Sequence, residues 1–216
     1  MALPSGGRRI DFGRLIVVPV FALVLVADAV SLDHGSHSGG AGVLQSVGTA
    51  LALTFYALAI WCYLRRGPAV ATSDSVTAHA AAITATWLPF PFPLLQGASS
   101  GPGRQALADV LLYCGMVWAL WSLRCLDRNM SILAQARGVV VRGPYRWVRH
   151  PLYTGEMVSA LGLAIAADSY SALALWIAVC SLQAYRALRE EQVLLRALPA
   201  YRRYRSRTAA LLPGVF

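Results

Sequence analysis

The chain has 216 residues, of which 57% are hydrophobic and only 13% are charged, and its mean hydropathy is +0.54. A soluble globular domain is closer to half apolar and a quarter charged, so the composition excludes that class. The net charge is +9 and all 19 basic residues are arginine, a usage that indicates a GC-rich bacterial genome. We therefore predict an integral protein of the bacterial inner (plasma) membrane.

Six apolar runs follow one another along the chain, most of them near the ~20 residues that a helix needs to cross a bilayer. They are Leu15 to Leu32, Val43 to Leu64, Val76 to Leu95, Leu107 to Leu126, Leu152 to Ala167 and Tyr170 to Tyr185. The pattern predicts an all-α, polytopic membrane protein with about six transmembrane helices. Only a tight turn separates the last two runs, so we expect a helical hairpin there, followed by a cytosolic helix and tail.

The third run is the weakest candidate for a span. It ends in the sequence WLPFPFPLL, and Pro89, Pro91 and Pro93 are incompatible with the interior of an ordinary helix. One alternative is that the helix ends early and the proline stretch is extended at the membrane interface. Another is that the protein has five spans.

The placement of the arginines favours six spans. With six spans and a cytoplasmic N-terminus, 18 of the 19 arginines lie on the cytoplasmic side and only Arg104 lies outside, in agreement with the positive-inside rule. Five spans would place the first five arginines outside. We therefore expect both termini in the cytoplasm. The arginine-rich tail, residues 201–207, is expected to contact anionic lipid rather than nucleic acid.

The sequence predicts no metal site. Cys62, Cys114, Cys125 and Cys180 all lie within or at the ends of apolar runs without a C-x-x-C spacing, as small buried hydrophobic residues do. His34 and His37 belong to a Gly/Ser-rich loop predicted on the outer side, where we expect solvated side chains.

Polar and aromatic residues are concentrated in the stretch VRGPYRWVRHPLYTGE, residues 141–156. Gly143 and Pro144 indicate a turn, and Pro151 suits the first turn of a helix with His150 at or near its N-cap. Interfacial anchoring by Trp147 and lipid contacts of the arginines explain this composition. The same spacing also suits a functional site, and the residues of this stretch do not decide between the two.

A second polar group follows the hairpin. The sequence RALREEQVLL starts at Arg186 and predicts a helix that leaves the membrane, with Arg186 and Glu190 on one face. A surface salt bridge between these two residues is one interpretation. The other is a pocket at the membrane surface, because a tight hairpin brings its two cytoplasmic ends together and with them His150 and Tyr153.

These motifs resemble the isoprenylcysteine carboxyl methyltransferase family. The resemblance rests on GPYRWVRHPLY, a hydrophobic hairpin, R-x-x-x-E-E-x-x-L and Y-x-x-Y, in this order between Arg137 and the C-terminus. The family belongs to a wider group of membrane methyltransferases that includes phospholipid N-methyltransferases. The apolar runs predict a region of four N-terminal spans, 1–126, and the resemblance implies a region that binds S-adenosylmethionine (SAM), 127–216.

The resemblance also assigns roles to individual positions. The cofactor-binding residues that it implies are Arg137, Gly138, Val139, Val140, Tyr145, His150, Pro151, Leu152, Tyr153 and Glu190. Arg186 corresponds to the arginine that orients the methyl acceptor, and so it is the candidate catalytic and substrate-binding residue. Tyr201 and Tyr204 correspond to tail tyrosines with a structural role.

The acceptor is expected to be a membrane lipid or a lipidated molecule. A carboxylate acceptor is ionised at neutral pH and needs no general base, and Arg186 would hold it bidentately. Glu156 departs from the family, because an ionisable group one turn inside a membrane helix is costly and is a functional candidate by default. It would pair with Arg149 or Arg186, or face a cationic head group, which would favour a lipid amine as the acceptor.

The sequence therefore predicts a SAM-dependent methyltransferase that acts on a lipid or lipidated carboxylate, with phospholipid or lipid-amine N-methylation as the alternative. A non-enzymatic membrane protein, such as a small transporter or an assembly subunit, is the alternative from another class. It predicts charged residues near mid-membrane, whereas only Asp28 and Glu156 have that position here.

Overall fold

A computed structural model describes residues 12–34, 40–95, 97 and 101–212. The protein is mostly helical (76%), and this part of the chain contains seven α-helices. The α-helices are α1 (Phe12–His34), α2 (Gly40–Arg65), α3 (Val76–Trp87), α4 (Pro102–Leu126), α5 (Pro151–Ala167), α6 (Tyr170–Ala197) and α7 (Pro199–Arg205). Two short strands, β1 (Ala71–Thr72) and β2 (Gln135–Ala136), and three 3-10 helices, Phe92–Leu94, Asp127–Asn129 and Gly143–Arg146, complete the elements. His37 and the first arginines, Arg8 and Arg9, lie outside the described residues.

Among the described residues, three stretches are long and apolar enough to cross a membrane: Gly42–Arg65, Pro102–Asn129 and Tyr170–Ala197. Two shorter apolar helical stretches, Val17–Val30 and Pro151–Ala167, accompany them. The prediction of an all-α integral membrane protein is confirmed. The number of six spans stays a prediction.

The third apolar run is helical only over its first 12 residues, Val76–Trp87. Beyond Trp87, the amides of Phe90, Phe92 and Leu94 donate to the carbonyl groups of Trp87, Pro89 and Pro91. Each donor follows a proline, which has no N–H of its own, so the chain forms turns and a 3-10 helix. The alternative was right that the helix ends early and wrong that the proline stretch is extended.

This third segment nevertheless runs the whole height of the α5–α6 hairpin. At its start, the hydroxyl groups of Thr77 and Tyr185 are 3.1 Å apart. At its end, Ser169 Oγ donates to the carbonyl oxygen of Leu95 at 2.7 Å. Tyr185 and Ser169 are separated by about 24 Å of helix at 1.5 Å per residue. The segment thus extends from one end of the hairpin to the other, although its second half is not α-helical.

Helices α4 and α5 approach each other closely through small residues. A Cβ on Gly115 would lie 2.5 Å from the Ser159 amide nitrogen, and one on Gly155 would lie 2.8 Å from the Ala119 nitrogen. Close approach through small residues is typical of helix packing in membranes, where the hydrophobic effect does not hold helices together. This contact fixes α5, which carries most of the candidate site.

The arginine-rich connections meet at one end of the helical bundle. The strands β1 and β2 pair antiparallel and join the α2–α3 connection to the α4–α5 connection. In the same region, Arg14 near the start of α1 donates from Nε to the carbonyl oxygen of Tyr63 at 2.9 Å. The sequence pattern did not predict this two-stranded ladder, because each strand has only two residues.

Candidate functional site

The stretch 141–156 forms a turn, a 3-10 helix and the start of α5, as predicted. Gly143 has φ +59°, and a Cβ there would lie 2.5 Å from Cys125 Sγ at the end of α4, so the position requires glycine. His150 is the N-cap residue of α5 and Pro151 is its first residue. The predicted boundary is confirmed, although the His150 side chain makes no capping hydrogen bond.

The segment after α7 lies against this entrance to α5. The amides of Arg149 and His150 donate to the carbonyl groups of Ala209 at 2.8 Å and Ala210 at 3.1 Å. The first amides of a helix have no partner within it, and those just before α5 are satisfied here by the tail. The hydroxyl of Tyr204 donates to the Tyr145 carbonyl at 2.7 Å, so this tail tyrosine has a structural role.

The hairpin brings its two polar ends together. Asp168 in the left-handed conformation ends α5, and the Ser169 side chain accepts from the Ala172 amide to start α6. As a result, the hydroxyl of Tyr153 donates to Glu190 Oε2 at 2.8 Å. The ring of His150 stacks on that of Tyr153, with centroids 5.4 Å apart and an interplanar angle of 3°.

Arg186 is buried beside this pair. Its guanidinium lies 4.7 Å from the centre of the Tyr153 ring, and it donates to Gln183 Oε1 at 3.0 Å and to the Ile132 carbonyl at 3.1 Å. Its Nε is buried without a hydrogen-bond partner among the described residues. Within the same residues Arg186 and Glu190 form no salt bridge, so the interpretation as a surface ion pair is wrong.

Glu156 is connected to Arg186 through a third side chain. Gln183 donates from Nε2 to Glu156 at 2.5 Å and accepts from Arg186 with its oxygen. The expected direct pair of Glu156 with Arg149 or Arg186 is not formed within the described structure, because Gln183 stands between the two charges and Arg149 binds elsewhere. The sequence analysis did not identify Gln183, because it lies within an apolar run that was predicted only as a membrane span.

Glu191, which follows Glu190 on α6, is the most densely paired acid of the described chain. Its carboxylate accepts from Arg149 Nε at 2.6 Å and from His150 Nε2 at 3.2 Å, and it lies 3.2 Å from Arg205 Nε. The carboxylate of Glu191 therefore joins α6 to the entrance of α5 and to α7. The only sequence signal for it was its position beside Glu190.

A cavity of about 370 Å³ lies beside Tyr153, Arg186 and Glu190. Most of the predicted site residues line it together: Tyr145, His150, Leu152, Tyr153, Glu156, Arg186 and Glu190. On α5 the lining residues run from His150 to Leu163, about 20 Å of helix. Beyond the polar end, the wall consists mainly of apolar side chains of α1, α2, α4 and the third segment.

Five of the predicted cofactor residues do not line this cavity in the described structure. Pro151 is buried at the start of α5. Arg137 donates to the Gly67 carbonyl and to Gln135 Oε1 beside β2, and Val139 packs against the cluster that contains Tyr201. Gly138 and Val140 belong to the same connection. The predicted contact of residues 137–140 with a cofactor stays a prediction.

Two tyrosines near the site have a raised pKa. Burial, and then the nearby Glu190 carboxylate, raise the pKa of Tyr145 well above its ordinary value. Burial likewise raises the pKa of Tyr204 to about 12. The Tyr204 bond to the Tyr145 carbonyl is therefore present throughout the physiological range.

Comparison with known proteins bears directly on this region. Residues 104–200 match the family model of phospholipid methyltransferase (PEMT). The resemblance to the isoprenylcysteine carboxyl and phospholipid methyltransferase membrane group is thereby confirmed. The match starts at α4, earlier than the motifs that carry the resemblance, and it includes Tyr145, Arg186 and Glu190. It supports a membrane methyltransferase that acts on lipid-like substrates. A search of curated proteins found no match.

Proposed function

We propose that this protein is a SAM-dependent methyltransferase that transfers a methyl group to a carboxylate on a lipid or lipidated acceptor. The observation that carries the proposal is the convergence of Tyr153, Arg186 and Glu190 at the polar end of a cavity that continues into an apolar interior. Methyltransferases of this family generally use SAM. We place the active site on the arginine-rich, cytoplasmic side of a bacterial plasma membrane.

The residues around the polar end fit the chemistry of SAM. The Glu190 side chain is 30% exposed and faces the cavity, where a carboxylate can pair with the cofactor's ammonium group or accept from its ribose hydroxyls. The stacked rings of His150 and Tyr153 offer a flat surface and electron-rich faces for adenine or a sulfonium. SAM, when bound, supplies an electrophilic methyl group.

The protein's contribution is mainly positioning and exclusion of water, because methyl transfer is an in-line displacement. Arg186 is suited to hold an acceptor carboxylate, since it is buried and its Nε has no hydrogen-bond partner among the described residues. Gln183 and the Ile132 carbonyl fix the direction of the guanidinium. An ionised carboxylate attacks without a general base, so the arginine needs only to hold and orient it.

Glu156 supports a second candidate, the methylation of a lipid amine. It lines the same cavity one helical turn beyond Tyr153, and its negative charge would attract a cationic head group and accept a proton from it. An amine must lose a proton before or during methylation, whereas a carboxylate does not.

We propose that the arginine-rich end of the protein contacts anionic lipids of the cytoplasmic leaflet. Arg202 and Arg203 on α7 are exposed, and Trp147 is 46% exposed beside Trp118 and Trp121. Arginines and tryptophans at one end of a helical bundle suit lipid phosphates and the membrane interface. No role in nucleic-acid binding is proposed.

Incubation of the purified protein with radiolabelled SAM and host membranes, followed by separation of lipid and protein products, tests the function. Base-labile label identifies a methyl ester, and base-stable label identifies N-methylation. We expect Glu190→Ala to abolish labelling. Absence of SAM binding, together with full activity of Glu190→Ala, would refute the proposal. A transport activity without any thermal shift on addition of S-adenosylhomocysteine (SAH) would support the transporter alternative.

A further inference from the structure

Glu191 has contacts that the proposed chemistry does not use. It is buried, with 6% exposure, and it is absent from the cavity wall that His150 and Glu190 share. Three basic side chains from two parts of the chain surround its carboxylate: Arg149, His150 and Arg205. Burial of a carboxylate is costly, so this set of partners indicates a specific task.

The contact with His150 determines where the imidazole carries its proton. A carboxylate only accepts hydrogen bonds, so Nε2 of His150 must be the donor to Glu191 Oε1 at 3.2 Å. In the neutral ring, the Nδ1 atom is then an acceptor. This atom lies 3.8 Å from Glu190 Oε2, on the side of the ring that belongs to the candidate cofactor site.

The rest of the network attaches Glu191 and the backbone of His150 to the C-terminal tail. Arg149 Nε donates to Glu191 at 2.6 Å, and its NH1 donates to the carbonyl oxygens of Arg205 and Thr208. The His150 amide donates to Ala210 at 3.1 Å. The backbone of His150 is thus attached to the C-terminal tail, and its ring is attached to Glu191 of α6.

From these contacts we infer that Glu191 is a positioning residue, which fixes the tautomer and ring orientation of His150 and, through the stacked Tyr153, the carboxylate of Glu190. The inference rests on the proposed function, because it assumes that Glu190 and His150 face the cofactor. Glu191 itself touches neither the cofactor nor the acceptor. Its role is comparable to that of an outer residue that orients a ligating histidine.

The decisive variant is Glu191→Gln, with Arg189→Gln as the matched control. Arg189 lies on the same helix and contacts Gln192 at 3.2 Å on the exposed face. In the purified full-length protein we expect Glu191→Gln to weaken SAH binding by up to about tenfold, because glutamine keeps an acceptor oxygen for His150 but removes the charge that strengthens this hydrogen bond, and to raise the KM for SAM more than it lowers kcat. Arg189→Gln should retain the wild-type values. Equal SAH affinity of wild type and Glu191→Gln would overturn the inference.

A measurement on the wild-type protein covers the case in which Glu191→Gln does not fold. With ¹⁵N-labelled histidine, NMR at alkaline pH should show the Nε2–H tautomer for the resonance that disappears in His150→Gln. The Nδ1–H tautomer at His150 would refute the positioning role whatever the variant does. If wild type binds no SAH but shows the expected tautomer, the proposed function fails while the Glu191–His150 contact stands.

Discussion

Replacement of Tyr153 by phenylalanine isolates one hydrogen bond at the site. The phenol is 7% exposed and donates to Glu190 Oε2 at 2.8 Å. The ring stays in place in the variant, because its stacking on His150 and its contact with the Arg186 guanidinium do not involve the hydroxyl. What is lost is the donor that holds the Glu190 carboxylate towards the cavity.

The size of the effect follows from the kind of bond and its exposure. A hydrogen bond to a charged group contributes about 1.5–3 kcal/mol, and the 30% exposure of the Glu190 side chain favours the lower end of that range. A loss of about 1.4 kcal/mol in binding free energy corresponds to about tenfold in Kd. We therefore expect Tyr153→Phe to weaken SAH binding about tenfold without a change in the folded structure.

Isothermal titration calorimetry with SAH on the detergent-solubilised protein measures this change. Tyr185→Phe is the control, because its hydroxyl contacts Thr77 on the exposed side of the same hairpin and lies outside the cavity. The reasoning is refuted if Tyr153→Phe binds SAH as tightly as wild type, or if Tyr185→Phe loses the same affinity.

Three further predictions follow from other contacts. Gln183→Leu should raise the KM for the acceptor more than that for SAM, because Gln183 aligns Arg186; equal changes in an initial-rate assay would contradict this. Gly115→Val should destabilise the protein by about 1–3 kcal/mol, seen as a lower Tm than in Val117→Ala, because a Cβ at Gly115 meets the Ser159 backbone. Tyr204→Phe should cost about 1 kcal/mol of stability at pH 8. The pKa of Tyr204 is raised from the ordinary value of 10.0 to about 12. The difference in free energy of unfolding between wild type and Tyr204→Phe should therefore be complete below pH 10 and be lost as the pH rises towards 12.

The local features of the site were predictable from the sequence. Gly143-Pro144 marks a turn, His150-Pro151 marks a helix start, and the short polar break at residues 167–169 marks a tight hairpin; the structure contains all three. Each depends on the conformational preferences of neighbouring residues, which act at short range. The prediction that Tyr153 and Glu190 lie together followed from the hairpin alone.

The partners of the charged residues were not predictable in the same way. Arg186 and Glu190 are one helical turn apart, yet Arg186 binds Gln183 and a carbonyl group of the α4–α5 connection. Glu191 is paired by Arg149 and Arg205, which are distant in sequence. Helical periodicity predicts on which face of the helix a residue lies. Which partner that residue contacts depends on how α6 packs against the α4–α5 connection and the tail.

The shape of the cavity leads to a last prediction, about the acceptor rather than the protein. Its lining on α5 continues from His150 to Leu163, so an apolar chain of up to about 20 Å can lie beside the helix. Binding energy from such a remote chain can align the reacting group with the methyl donor, and each buried methylene contributes about 0.8 kcal/mol. We expect kcat/KM for a series of acceptors with one head group to fall roughly tenfold for every two methylenes removed, as measured by transfer of radiolabel from SAM. If the head group alone reacts as fast as the full acceptor, the apolar part of the cavity does not bind the acceptor's chain.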